Sequence, residues 1–264
     1  RWRYIYSFRL IKCITLREKN CQIILGVNKL KRIRLVVLII IALLLLGLAA
    51  SARSIEEYYI KSQLDPQIEL QASIKNMATI DSYRYKLTSC FTVAERKEVI
   101  SRVEGEKSGA NTHIKGEMVN TAVDIYYIDR TIYNYDAFSK KWLVIESDTN
   151  KSEELLISEL NPLSNFRFKQ IAAVEKLRFE EVDGVECLVV GCRPSIESQL
   201  LESLWKSFDY HLWLDYKERM VKKAALTAVN KKAPDTRLNL VVEFSDWNQK
   251  IDIRPPDTSG TKKN

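Results

Sequence analysis

From Ser82 onward the apolar residues recur at every second position, in runs separated by short turn signals. A chain with that period cannot bury itself as helix; each run has one apolar face, and the runs must lie side by side in a sheet whose apolar face is covered. Strands are predicted at Tyr83–Val93, Lys97–Glu104, Asn111–Glu117, Ala122–Asp129, Thr131–Tyr135 and Lys141–Ile145, with turns at Gly105, Gly109 and Asp129-Arg130. Strands return at Val174–Val182 and Val185–Arg193 around Asp183-Gly184, a strong two-residue hairpin signal. Three more follow at Phe208–Asp215, Met220–Asn230 and Leu238–Trp247, closed by Ile251-Asp252-Ile253-Arg254-Pro255-Pro256.

Helical patterns are few. Ser54 to Leu64 reads as a helical stalk, and Asp65-Pro66 as the N-cap and first residue of a second helix. Leu70, Ile74 and Met77 fall at i, i+4 and i+7 and give that helix one apolar face. Lys151 to Gln170 is helical or irregular. Pro194 opens a further helix, Ser195 to Lys206, with Ile196, Leu200, Leu204 and Trp205 as its stripe. These are too few to alternate with the strands, which excludes a doubly wound α/β fold. The expected class is α+β: a large antiparallel sheet with about three helices on one face.

Leu35 to Ala52 runs 18 residues without a charge, directly after Lys29, Lys31, Arg32 and Arg34. That combination is a membrane-targeting signal with the N-terminus inside and the remainder outside. Two outcomes fit it: a transmembrane anchor that is kept, or a signal peptide cleaved after Ala50-Ser51-Ala52, leaving a secreted domain. The length favours the anchor. The expected organisation is a basic n-region over 1–34, of which 1–26 are not native and Val27 is the start, an anchor over 35–52, and one extracytoplasmic domain over 53–264.

The formal net charge of +7 suggests a polyanion-binding protein, but it is unevenly placed. Residues 1–34 hold ten Lys+Arg and one acid, a net of +9, which leaves 31 bases and 33 acids in residues 53–264, a net of −2. The folded part is slightly acidic, so nucleic acid is not an expected partner. The Lys222-Lys223 and Lys231-Lys232 pairs read as solvated strand-end charges.

Enzyme signatures are missing from the sequence. There is no G-x-S-x-G, H-E-x-x-H, Walker or G-x-G-x-x-G pattern. His113 and His211 stand nearly 100 residues apart in separate strands, and no Cys/His spacing suits zinc, so neither a catalytic group, a metal nor a cofactor is expected. The exported part carries Cys90, Cys187 and Cys192, an odd number, so at least one thiol stays unpaired within the chain. Cys187 and Cys192 are five apart in one strand and face opposite ways, which disfavours a bridge between them.

The strand motifs carry a likeness. Ser82-Tyr83-Arg84-Tyr85 opens the first strand; Ile125-Tyr126-Tyr127-Ile128-Asp129, Tyr133-Asn134-Tyr135 and Lys141-Trp142-Leu143 follow. Trp213-Leu214-Asp215, Met220-Val221-Lys222-Lys223 and Phe244-Ser245-Asp246-Trp247-Asn248 close the sheet. In this order residues 66 to 256 resemble the LolA/LolB and LprG-like lipoprotein-carrier superfamily. The resemblance implies a curved, incomplete half-barrel whose helix-covered concave face leaves an apolar cavity for acyl chains. A lipidation cysteine after the apolar segment is missing, which departs from the lipid-anchored members.

The expected cavity lining is Leu70, Ile74 and Met77 from the first long helix, Leu200 and Leu204 from the later one, and Leu226, Leu240, Val242 and Phe244 from the closing hairpin. Tyr126, Tyr133 and Trp142 are candidates for its mouth, although cross-strand packing is the commoner reason for such rings. The function expected is a membrane-tethered extracytoplasmic binding protein for a lipid or lipidated ligand. The alternative is a protein-interaction or envelope-sensing module on the same fold, with an envelope protein as partner and no lipid. The start at Val27 has its own test: mass spectrometry of the natural protein should find no peptide from residues 1–26, and any such peptide refutes it.

Overall fold

The computed structural model describes residues 36–43, 46, 55–146, 168–171 and 173–258. The chain divides into two units, Arg1–Leu64 and Asp65–Asn264. In the first, residues 36–43 and 55–63 are helical. Among the described residues no helix is long and apolar enough to cross a membrane; most of the flanks of 35–52 lie outside them, as does the expected element over 151–167.

The second unit opens with helix α1, Pro66–Met77. Asp65 caps it as its position predicts: Oδ1 accepts from the backbone N–H of Gln67 at 2.8 Å and of Ile68 at 3.1 Å, while Pro66 fills a site where no donor is needed. Its buried residues are Glu69, Leu70, Ser73 and Met77, so Leu70 and Met77 point inward as expected and Ile74 is only half-buried. The packed stripe is rotated toward i, i+3 and i+7.

Six strands follow as a meander: β1 Ser82–Val93, β2 Arg96–Ser108, β3 Asn111–Met118, β4 Thr121–Ile128, β5 Thr131–Asp136 and β6 Lys141–Glu146. After β7, Phe168–Gln170, come β8 Glu175–Val182 and β9 Val185–Cys192, then β10 Ser195–Ile196, helix α2 Gln199–Leu204, β11 Trp205–Asp215, β12 Met220–Asn230 and β13 Thr236–Ser245. Eleven of these form one sheet in the order β6-β5-β4-β3-β2-β1-β13-β12-β11-β9-β8, antiparallel throughout and not closed into a barrel; β7 and β10 pair separately. Both residues of each tight turn at Ala94-Glu95, Val119-Asn120, Asp129-Arg130 and Asp183-Gly184 have positive φ, the backbone whose twist matches that of the joined strands.

Two expected boundaries are corrected. The helix predicted over Ser195–Lys206 is only Gln199–Leu204, because Ser195 and Ile196 pair with β7 and Trp205 already belongs to β11. Gly105 is not a turn but an interior residue of β2, opposite Tyr85. A β-carbon at Gly105 would lie 2.1 Å from Cζ of the Tyr85 ring, so the glycine is the space that ring occupies.

Register assigns the faces. Tyr85 pairs with Phe244, Leu87 with Val242 and Ser89 with Leu240; Val242 pairs with Ala224 and Leu240 with Leu226; Leu226 pairs with Tyr210 and Ala224 with Leu212. Leu212 pairs with Val190 and Leu214 with Leu188. These residues share one face, here the inner face, and α1 packs chiefly on its β12, β11, β9 and β8. The opposite face of the same strands holds a separate cluster of Cys187, Val189 and Trp213. Replacing Gly105 by Ala should cost ~1–3 kcal/mol through the forced shift of Tyr85; urea unfolding should show the midpoint fall, and a wild-type midpoint would contradict this packing.

Candidate functional site

The inner face is largely apolar, with Ser89, Ser101, Lys107 and Asn134 as polar positions on it. On the β8–β12 side Leu188, Val190, Leu212, Leu214 and Ala224 are fully buried, and Leu70 and Met77 of α1 are buried with them. At the α2 end Trp205, Ala228 and Leu238 form a cluster with Phe91, Leu201 and Phe208, and the Phe91 and Trp205 rings stand 5.4 Å apart. On the β2–β6 side register places Val103, Ile114, Ile125, Tyr127, Ile132, Leu143 and Ile145 on this same face. Val103, Ile114 and Ile132 are buried, whereas Leu143 and Ile145 on the edge strand are 44% and 42% exposed.

Leu226, Leu240, Val242 and Phe244 lie on the inner face, as expected. The other expected lining residues fare differently. Tyr126, Tyr133 and Trp142 are on the outer face: Ile125, not Tyr126, pairs with inner-face Ile114, and Ile132 and Leu143 hold the inner positions of β5 and β6. Leu204 is 49% exposed, since the helix that was to bury it is one turn and a half long. The Leu200 side chain lies outside the described residues.

Depressions among the described residues lie elsewhere. Grooves of about 460 and 560 Å³ run beside α2, lined by Glu202, Trp205, Lys206, Phe208 and Lys231 and by Arg193, Ile196, Ser207 and Asp209. One of about 260 Å³ involves His211, Thr227 and Arg237 on the outer face. These walls mix both signs of charge, and none of the twelve expected lining residues belongs to them.

The outer face contains a grouping that sequence spacing did not display. His113 lies between two carboxylates, Nε2 at 2.9 Å from Asp124 and Nδ1 at 3.5 Å from Glu106, and its ring stacks on Tyr126 at 3.8 Å. Arg84 links Glu106 at 3.2 Å to Asp246 at 2.9 Å, bridging β2, β1 and β13. Tyr126 and Tyr133 also pack on Ile128, Ile251 and Ile253, so the closing segment folds back onto this face. Both ring nitrogens of His113 already face carboxylates, and among the described residues no group of three or more His, Cys, Asp and Glu is arranged to hold a metal ion. The signal for this site was the register alone, which pairs Glu106 with His113 and His113 with Tyr126.

Cys90, Cys187 and Cys192 are all free and buried. Burial, with Asp215 as a lesser cause, pushes the Cys187 thiol up to about 11; burial, reinforced by Asp209, pushes Cys192 up to about 12.

Several solved structures are similar to this chain. LprF from Mycobacterium bovis superposes with a TM-score of 0.51 at 14% identity, covering 72% of this chain and 96% of that one. The Mycobacterium tuberculosis lipoprotein LppX gives 0.47 at 14% identity over 72% and 100%, and a LolA superfamily protein, NE2245 from Nitrosomonas europaea, gives 0.32 at 12% over 75% and 98%. No protein-family model and no curated protein matches the chain. At 14% identity the likeness to LprF concerns the fold alone.

The thiols give a pH prediction. A folded-state value raised above the unfolded 9.0 means that the folded state holds protons the unfolded state has released. The stability they contribute is whole below pH 9 and is lost as pH rises through about 11 and 12. Tyr85 and Tyr210, raised by burial from 10.0, act in the same sense. Urea midpoints should therefore fall progressively above pH 9, and less steeply when both cysteines are replaced by Ala; a flat profile is the contrary result.

Proposed function

We propose that residues 65–258 form an extracytoplasmic binding domain for a lipid or the acyl chain of a lipidated ligand, tethered to a membrane through the segment 35–52. The observation that carries this is the apolar inner face: α1 packs chiefly on the β8–β12 side, while Ile125, Ile132, Leu143 and Ile145 continue the apolar surface to the β6 edge. An acyl chain laid there gains ~0.8 kcal/mol for each CH₂ removed from water, so a partly buried chain already binds usefully. The class of ligand comes from the lipoprotein-carrier resemblance, with which the LprF fold agrees. The membrane contact follows from the four bases that precede the uncharged 18-residue stretch.

A second reading has one observation in its favour. β6 is an edge strand, Phe138 at the β5–β6 turn is 96% exposed, and Leu143 and Ile145 are half-exposed beside it. Such an edge accepts an extended segment of a partner protein.

Native mass spectrometry of the purified protein separates the two. Lipid capture predicts an acyl-lipid adduct near one per chain, abolished by Ile125→Lys on the inner face and kept by Lys115→Ala on the outer face. A lipid-free protein with a stoichiometric protein partner, lost on Leu143→Glu, would overturn lipid capture.

A further inference from the structure

Tyr85 stands on the inner face of the central strand β1 and is 3% exposed. The tip of its ring occupies the space a β-carbon would fill at Gly105 of β2, where Cζ would be 2.1 Å and the hydroxyl oxygen 2.4 Å from that carbon. The glycine thus lets the phenol lean across β2. Its hydroxyl comes over a floor whose next inner-face residues by register are Val103 along β2 and Ile114 on β3.

That hydroxyl is buried and has no hydrogen-bond partner. Burial raises its pKa, so it keeps its proton and offers a donor to any acceptor that comes over it. Folded proteins rarely leave a buried hydroxyl unpaired, and phenylalanine would fill the same space without that penalty. The inner-face cation nearest by register, Lys107, donates its Nζ to the Gly109 carbonyl at the strand end. One neutral donor over an apolar floor suits a neutral carbonyl oxygen with a hydrocarbon chain attached, and does not suit a carboxylate.

We infer that Tyr85 is the polar anchor of the inner face: its hydroxyl donates a hydrogen bond to the carbonyl oxygen of a fatty acyl ester whose chain lies over Val103, Ile114 and Ile125. This rests on the lipid-binding function proposed above and names the linkage that the site selects. No covalent step is involved.

The test uses the full chain and two probes of equal chain length and identical headgroup, palmitoyl lysophosphatidylcholine, an ester, and its hexadecyl ether counterpart. Native mass spectrometry titrations should show the ester bound about three- to tenfold more tightly, the worth of one neutral hydrogen bond. Tyr85→Phe should erase that preference, leave ether binding unchanged and unfold at a temperature no lower than wild type, since no internal bond is lost. Equal affinities in the wild type, a preference that survives Tyr85→Phe, or a Tyr85→Phe midpoint several degrees lower would overturn the anchor while lipid capture stands. Failure of both lipids to bind the wild type would overturn lipid capture and the anchor together.

Discussion

The pairing of β1 with β13 is the contact on which the rest depends. Without it the main sheet is two separate meanders, β1–β6 and β8-β9-β11-β12-β13, each with an exposed edge; with it they become one eleven-stranded sheet. Ten residue pairs set the register, from Arg84 opposite Ser245 to Val93 opposite Thr236. Side chains reinforce both ends: Arg84 to Asp246 at 2.9 Å on one, Asn239 to Thr92 at 3.0 Å on the other. At the Ser82 end the chain doubles the bond, with the N–H of Asn248 donating to the Ser82 carbonyl at 2.8 Å and the Ser82 hydroxyl donating to the Gln249 carbonyl at 2.6 Å. Closing a loop of this span is entropically costly, and burial of Tyr83, Tyr85, Val242 and Phe244 along the seam supplies the compensation.

Once that seam is fixed, the other strands have their faces assigned by alternation, interrupted by the register shifts at Ser89/Cys90, Trp213/Leu214 and Lys176/Arg178. A shift of one residue at β1 would move the inner set to the outside across the whole sheet. The inner face can therefore be largely apolar, while the outer face gathers polar and aromatic groups: Glu106, His113, Asp124 and Tyr126 on one wing, and Trp213 between the Arg178 guanidinium and the Lys223 ammonium on the other. Gly105 is the local concession this requires. A phenol at Tyr85 needs room that a larger residue on the neighbouring strand would take, and the same room leaves its hydroxyl over the apolar floor.

Much of the fold was legible. All eleven strands of the main sheet, the Asp65-Pro66 helix start and the Asp129-Arg130 and Asp183-Gly184 turns follow from local patterns, because alternation, capping and turn backbone are decided within a few residues. The facing of the candidate residues was legible only where the apolar period was clear. Leu226 and Phe244 alternate with polar or small neighbours, and Leu240 and Val242 share the period of Leu238 and Phe244, so the spacing alone placed them on one face. In Ile125-Tyr126-Tyr127-Ile128 both faces carry large apolar groups, and the choice of Tyr126 for the inner face failed for lack of a register. Leu204 failed for another reason: Trp205 has a place in β11, and tertiary pairing ended the helix that local propensity would have continued.

By itself the sequence determined the antiparallel sheet class, the number of its main strands, the placement of +9 in residues 1–34 against −2 in residues 53–264 and the uncharged stretch between them. Only the tertiary structure decided which face of β4, β5 and β6 is the inner one, that His113 sits between Glu106 and Asp124, and that Tyr85 lies over Gly105 with an unpaired hydroxyl. The reason is one of range. Period and capping are properties of neighbouring residues, whereas facing and pairing depend on a register set between strands as far apart as β1 and β13, and no stretch of chain contains both.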